Sequence, residues 1–220
     1  MKNLYDPIDA YLELANARPE LFADDPSCPI VMDEEAIRSF SARTGRPMGV
    51  VFDNCPYFLV VADLCRSSRG EFSYARVIYP NPSAGSVAIP IMDGKIGLLR
   101  IFRHSCRQEL LELPRGFHEN PNLTPEENIQ KELHEEMGTI SHLPIHLGHI
   151  RPDTGLSQGC ADVFLAQITH AAPLVGHEGI KELLWFSQEE LGQMIGLGKI
   201  VDGFTLAALT LLDAKYPHLF

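Results

Sequence analysis

Apolar positions recur along this chain with two different periods. Over residues 5–22 (YDPIDAYLELANARPELF) they fall about one helical turn apart, which predicts an amphipathic helix that Pro19 ends or bends. A polar stretch with Pro26 and Pro29 follows. DEEAIRSFSART then predicts a second, short helix, with Asp33 as its cap and Ala36, Ile37 and Phe40 turned inward. After Gly45 the texture becomes that of strands. YFLVVADL (57–64) and FSYARVIYP (72–80) are rich in β-branched and aromatic residues, and CRSSRGE between them predicts a hairpin. VAIPIMDG (87–94) and KIGLLRIFR (95–103) read as a second pair around Asp93-Gly94, a strong turn signal. LLELP (110–114) is a short strand. Further strands are expected near 144–150 and 161–168 and at ELLWFS (182–187), with a loop over 169–180. Residues 188–214 read as helical, EELGQMIGLGK and then DGFTLAALTLLDA.

Strands therefore dominate the middle and helices flank them. There is no βαβ rhythm, no GxGxxG, no internal repeat and no low-complexity tract, so a doubly wound sheet is not expected. A boundary is expected near NPSAG (81–85), with the first 80 or so residues as a separate lobe.

Composition narrows the chemistry. A length of 220 residues suits one large domain, or a domain with a smaller partner. The formal net charge of −11 argues against a general nucleic-acid-binding surface. An acidic enzyme that acts on anions needs a divalent cation or a local arginine cluster to offset repulsion. No apolar run reaches the length of a membrane span, and the opening MKNLYDPIDAYLE turns acidic at once rather than reading as a basic and apolar leader. Cys28, Cys55, Cys65, Cys106 and Cys160 form no CxxC pair and no zinc spacing, which reads as free thiols in a reducing cytoplasm.

The most informative stretch is KELHEEMG (131–138). Its helix has a definite start, since Thr124-Pro125-Glu126-Glu127 places Thr at the N-cap, Pro at the first helical position and Glu at the third. Ile129, Leu133 and Met137 then follow at four-residue steps as a buried stripe, and Glu132, Glu135 and Glu136 form an edge beside it. Like charges at this spacing cost a few tenths of a kcal/mol per pair, roughly, and the helix dipole disfavours them near a C-terminus. A divalent cation such as Mg²⁺ would reverse that balance; a solvated acidic face is the alternative. Gly138 reads as the helix end in left-handed geometry. Upstream, ELLELPRGFHE (109–119) gives a strand, a turn and a glycine loop that can wrap a diphosphate and its metal. Glu112 could add a fourth carboxylate from the strand end. Arg100, Arg103, Arg107 and Arg115 supply guanidinium forks suited to phosphate oxygens.

The stretch GFHENPNLTPEENIQKELHEEMGTI (116–140) resembles the box of the Nudix hydrolase family, with Gly116, Glu132, Leu133, Glu135, Glu136, Gly138 and Ile140 on matching positions. Three departures stand out. Lys131 replaces the family arginine, the early loop glutamate is missing, with Asn122 and Leu123 in that region, and the loop is one residue longer. Lys131 is accordingly expected to have no partner waiting, and the loop to be braced differently. The flanks GSVAIP (85–90), LLRIFR (98–103), ELLELP (109–114) and GKIVDGFTLAAL (198–209) resemble the ADP-ribose pyrophosphatases and nucleotide-sugar hydrolases of that family; the likeness covers about residues 80–212. Where such relatives carry serine-proline-glycine and a later glutamate, this chain has Asp153-Thr154-Gly155 and Ser157-Gln158-Gly159.

The resemblance implies an α+β fold, an α/β/α sandwich with a mixed sheet over 81–220, preceded by an N-terminal helix and strand extension over 1–80 of the kind that helps pair two subunits into a homodimer. It implies metal-dependent hydrolysis of a nucleoside diphosphate linked to another group, giving a nucleoside monophosphate and a phosphorylated product. Glu132, Glu135 and Glu136 would hold Mg²⁺, or Mn²⁺ in its place, with Glu112 supplementary. Arg103, then Arg100, and Arg115 would contact the diphosphate. The general base would come from the loop APLVGHEGIKE (172–182), Glu178 first and Glu182 second, with Glu136 as a third candidate. His134 is expected at the surface and Trp185 in the core. Tyr74 or Tyr79 would be the aromatic that stacks on the base. The rival readings are a nucleotide-binding sensor without turnover and a housecleaning pyrophosphatase for nucleoside triphosphates.

Overall fold

The computed structural model describes residues 6–79, 83–118, 120, 122–173, 175–217 and 219, so Tyr5, Pro80 and the Asn81-Pro82 part of the expected boundary lie outside the described residues. The chain forms two compact units, residues 1–80 with 153–158, and residues 81–152 with 159–220.

The first unit holds α1 (Pro7–Ala17), a short 3₁₀ turn at Pro19–Phe22, α2 (Glu34–Thr44) and a three-stranded antiparallel sheet in the order β1 (Gly49–Asn54), β2 (Phe58–Ser67), β3 (Gly70–Ile78). Each helix starts on an aspartate, Asp6 or Asp33, whose carboxylate accepts first-turn amides that would otherwise lack partners. Tyr11, Ile37 and Phe40 bury against Val61, Leu64 and Ile78. Tyr11 donates to Asp63 at 2.6 Å, and the Arg76 guanidinium completes the buried carboxylate's partners. The β2–β3 hairpin closes between Ser67 and Gly70, as CRSSRGE predicts. β1 was not expected from the sequence. Residues 153–158 belong to this unit because Val77 donates to the Leu156 carbonyl at 2.8 Å and Tyr74 Oη to the Gly155 carbonyl at 2.6 Å.

The second unit is a mixed seven-stranded sheet between helices. Its strands are β4 (Ser83–Met92), β5 (Lys95–Arg103), β6 (Gln108–Glu112), β7 (Arg115–Phe117), β8 (Ile145–Ile150), β9 (Cys160–Gln167) and β10 (Ile180–Phe186). The central order is β10-β5-β4-β9-β8, with β4 and β9 parallel and the other pairings antiparallel. The sheet buries both faces. Ala88, Leu99 and Phe164 point to one side, where α3 (Pro125–Met137) lays Ile129, Leu133 and Met137. Val87, Ile89, Leu98, Val163 and Leu165 point to the other, against α4 (Gln188–Gly196) and α5 (Gly203–Lys215). Burial on both sides explains why these strands read as continuous apolar runs.

The expected β4–β5 hairpin is only partly formed. Asp93 and Gly94 do form the tight turn, at φ 51° and 71°, but β4 and β5 pair only at its mouth, through Ile91–Ile96 and Met92–Lys95. Beyond that they part. β6 pairs along β5, β7 pairs along β4 at Gly85–Val87, and the Pro114 carbonyl accepts the Ala88 amide at 2.9 Å. This split carries Glu112, Arg115 and Gly116 into the face on which α3 packs. Among the described residues no helix is long and apolar enough to cross a membrane, and all five cysteines are free thiols.

Candidate active site at the C-terminal end of helix α3

The local design of α3 follows its sequence. Thr124 accepts the Glu127 amide and Glu127 returns a bond to the Thr124 amide, closing a capping box, with Pro125 at the first position. Gly138 ends the helix at φ 62°. Gln130 clasps Ser141 through two bonds, one of them to its amide at 2.9 Å, and fixes the chain as it leaves the helix.

The same geometry sorts the three glutamates. Glu132 and Glu136 are buried, 6% and 3% exposed, whereas the Glu135 side chain is half exposed. The two buried carboxylates lie against one short piece of backbone. Glu136 Oε2 accepts the Arg115 amide at 2.9 Å. Gly116 adjoins Glu132 so closely that a Cβ there would overlap the whole carboxylate. Burial lifts the Glu132 carboxyl above its ordinary range against the Lys131 ammonium, and the Glu135 and Glu178 charges add to the rise. Burial pushes Glu136 up to about 8, opposed by the Arg115 amide and Arg103, with Glu132 and Glu178 again raising it.

Lys131 does have partners. Its ammonium sits 2.9 Å from Glu135 Oε2 and 3.4 Å from Glu132 Oε1, both on its own helix. The expectation of an unpartnered lysine overlooked that residues one and four apart on a helix are within a lysine's reach. The loop before α3 has its own brace, since buried His118 reaches across to the Leu123 carbonyl at 2.6 Å.

Glu112, only 1% exposed, faces arginines instead of the α3 carboxylates. Arg103 forks onto it through Nε at 2.9 Å and Nη2 at 2.7 Å, and Arg115 Nη2 adds a bond at 2.8 Å. Arg115 Nη2 also reaches Asp202 at 3.2 Å, and its guanidinium lies 4.3 Å from the Phe204 ring centroid. Arg100 pairs with Glu182 Oε1 at 2.5 Å, opposite it across β5 and β10. Arg107 stands in the exposed turn after β5, beside His104. Glu178 is exposed in a short turn at φ 47°, and its charge reaches both buried α3 carboxyls. His134 is exposed, and Trp185 packs half-buried beside the α3 core. Tyr74 and Tyr79 belong to the first unit.

The structure thus brings together Glu132, Glu136 and the charge of Glu178, with Arg103 near enough to act on Glu136. It turns Glu135 toward Lys131 and encloses Glu112 between arginines. Among the described residues no three His, Cys, Asp or Glu side chains converge as a ready-made metal cluster. The donor chemistry nonetheless suits a hard divalent cation: burial disfavours the ionised form of both carboxyls, the Glu132 charge adds to this at Glu136, and a glycine backbone makes room for Glu132. Sequence reasoning missed Asp202, Phe204 and Thr205 around Arg115, and His118 in the loop. Asp202 directly before the apolar run of α5, an N-cap signal, was the available pointer to the first group.

No protein-family model and no curated protein sequence matches the chain. Among solved structures the fold is similar to that of a crystal structure of an ADP compounds hydrolase, with a TM-score of 0.65 over 76% of this chain and 90% of that one, at 19% sequence identity. That likeness establishes a mixed α+β fold of the same kind.

Proposed function

We propose that this chain is a hydrolase of the Nudix type, which cleaves the diphosphate bond of a nucleoside diphosphate linked to another group, of the ADP-ribose or nucleotide-sugar kind, and releases a nucleoside monophosphate and a phosphorylated product. The observation that carries the reading is the pair of buried carboxylates, Glu132 and Glu136, set against the backbone of residues 115–116. Fold likeness to an ADP compounds hydrolase and the box-like stretch 116–140 support it.

In this reading Glu132 and Glu136 would hold Mg²⁺ or Mn²⁺, and Glu135, which pairs with Lys131, would be the third carboxylate of the set. The bound ion would offset phosphate charge and lower the pKa of a coordinated water. The chain's residues do the rest. Glu112 engages Nε and Nη2 of Arg103, which leaves Nη1 to donate to a phosphate oxygen. The arginine is thereby aimed before substrate arrives, so little side-chain entropy is lost on binding. Glu178 stands at an exposed turn whose charge reaches both α3 carboxyls, and it is the residue we assign to take the proton from the attacking water. Glu182 is occupied by Arg100 and is the second choice.

One observation favours a second reading, a nucleotide-binding module without turnover: the Lys131 ammonium engages both Glu132 and Glu135. A panel of ADP-ribose, nucleotide sugars, dinucleotides and nucleoside triphosphates, assayed with Mg²⁺ or Mn²⁺ for monophosphate and phosphate release, separates the two. Turnover of one diphosphate class, lost in Glu136→Gln, is the expected result. Tight binding of one compound with no turnover at saturating metal would establish the module instead.

A further inference from the structure

We infer that Asp202, at the head of α5, is a positioning residue for the α3 carboxylate site and acts on it through Arg115. The consequence for turnover rests on the function proposed above; the positioning itself does not.

Arg115 is where the two sides meet. Its backbone amide donates to Glu136 Oε2 at 2.9 Å. Its guanidinium is held by Glu112 at 2.8 Å and by Asp202 Oδ1 at 3.2 Å, and it stacks over Phe204. The other oxygen of Asp202 accepts both the amide and the hydroxyl of Thr205, each at 2.8 Å. Thr205 is fully buried, and its Oγ1 accepts the Leu113 amide at 3.0 Å. The start of α5 is therefore tied to the chain at residues 113 and 115, on either side of Pro114. The next residue is Gly116, whose backbone abuts the Glu132 carboxylate. A shift of this segment would move the donor to Glu136 and the wall behind Glu132 together.

Asp202 has one carboxylate oxygen for each task, which lets them be separated. A helix cap needs only one acceptor, and Asn and Ser supply it nearly as well as Asp. Neither keeps the second, charged acceptor for Arg115: asparagine would present an NH₂ donor there, and serine is too short. Asp202→Asn and Asp202→Ser should therefore preserve α5 and loosen Arg115.

Amide hydrogen exchange, followed residue by residue in metal-free protein, reads this without reference to activity. The inference predicts that the Arg115 amide exchanges at least about tenfold faster in both variants, while Thr205 and Leu206 exchange as in the parent. Unchanged exchange at Arg115 overturns it. So does acceleration confined to the first turn of α5, which would make Asp202 a helix cap and nothing more. In the turnover assay both variants should lose about 10–100-fold, the size usual for groups that orient metal ligands. In an Arg115→Gln background the second substitution should change turnover less than about twofold, because the path has already been cut. A parent with no turnover on any substrate defeats the hydrolase reading, and the exchange result still decides the positioning role.

Discussion

Gly116→Ala separates stability from chemistry at this site. A Cβ at residue 116 would stand 2.5 Å from Glu132 Oε1, and nearer still to Oε2 and Cδ. Ordinary contact begins near 3.4 Å and the nearest carboxylate atom would lie at 2.0 Å, so the carboxylate must retreat by about 1.4 Å. The atoms in the way are the end of a flexible side chain, and Gly116 sits in β7 without a left-handed φ, so alanine strains nothing in the backbone. Replacing glycine in a compatible conformation gains about 0.5–1 kcal/mol from the unfolded state. Overpacking costs about 1–3 kcal/mol. The net loss of stability should then be about 0–2.5 kcal/mol. Misplacing a reacting or ligating group by about 1 Å, by contrast, can cost about a hundredfold in rate. Urea titration of parent and variant gives the first quantity, and Mg²⁺-dependent turnover of the best substrate from the panel gives the second. A variant that folds like the parent and turns over about a hundredfold more slowly is the expected outcome. Turnover within about threefold of the parent would refute the reasoning, because it would mean that the Glu132 position is irrelevant to the chemistry.

Other perturbations probe neighbouring parts of the account. Glu112→Ala leaves two arginines without their buried partner and should cost about 3–5 kcal/mol in urea denaturation, with or without metal; a loss below about 1 kcal/mol contradicts the clamp. Glu136 is held in the fold with its pKa raised from 4.5 to about 8. Between those values the folded chain keeps a proton that the unfolded chain releases, so the stability of metal-free protein should be fully present below about pH 4.5 and fall as pH rises through 8, by at most on the order of 5 kcal/mol. Glu136→Gln should flatten that fall; an unchanged pH profile in the variant argues against it. Leu133→Ala, in the fully buried stripe of α3, should cost about 2–5 kcal/mol, checked by denaturant midpoint.

Much of α3 was legible because its signals are local. Thr124, Pro125 and Glu127 are three neighbours that cap one another, and the stripe of Ile129, Leu133 and Met137 needs only a fixed helical period. The parting of β4 and β5 was not legible. Asp93-Gly94 specifies a turn, but whether the strands stay paired depends on what competes for their edges, and the competitors were β6 and the three-residue β7. β1 escaped notice because its outer half, Phe52 to Asn54, is exposed and lacks the continuous apolar run of the central strands. Glu112 illustrates a further limit. Its burial in a short apolar strand could be anticipated, yet the choice between a cation and two arginines as its partners is made by Arg103 across the β5–β6 pairing and by Arg115 beyond the turn. Lys131 is the opposite case: its partners, Glu132 and Glu135, stand one and four residues along its own helix, so its pairing is local.

The most direct measurement is a Mn²⁺ titration followed by electron paramagnetic resonance, on the parent chain and on Glu132→Gln with Glu136→Gln, alongside turnover of the same preparations. The account predicts saturable Mn²⁺ binding by the parent that weakens at least about tenfold in the double variant, with turnover lost in parallel. Equal Mn²⁺ binding and equal turnover in the two proteins would contradict it, and would place the chemistry of this chain somewhere other than the end of α3.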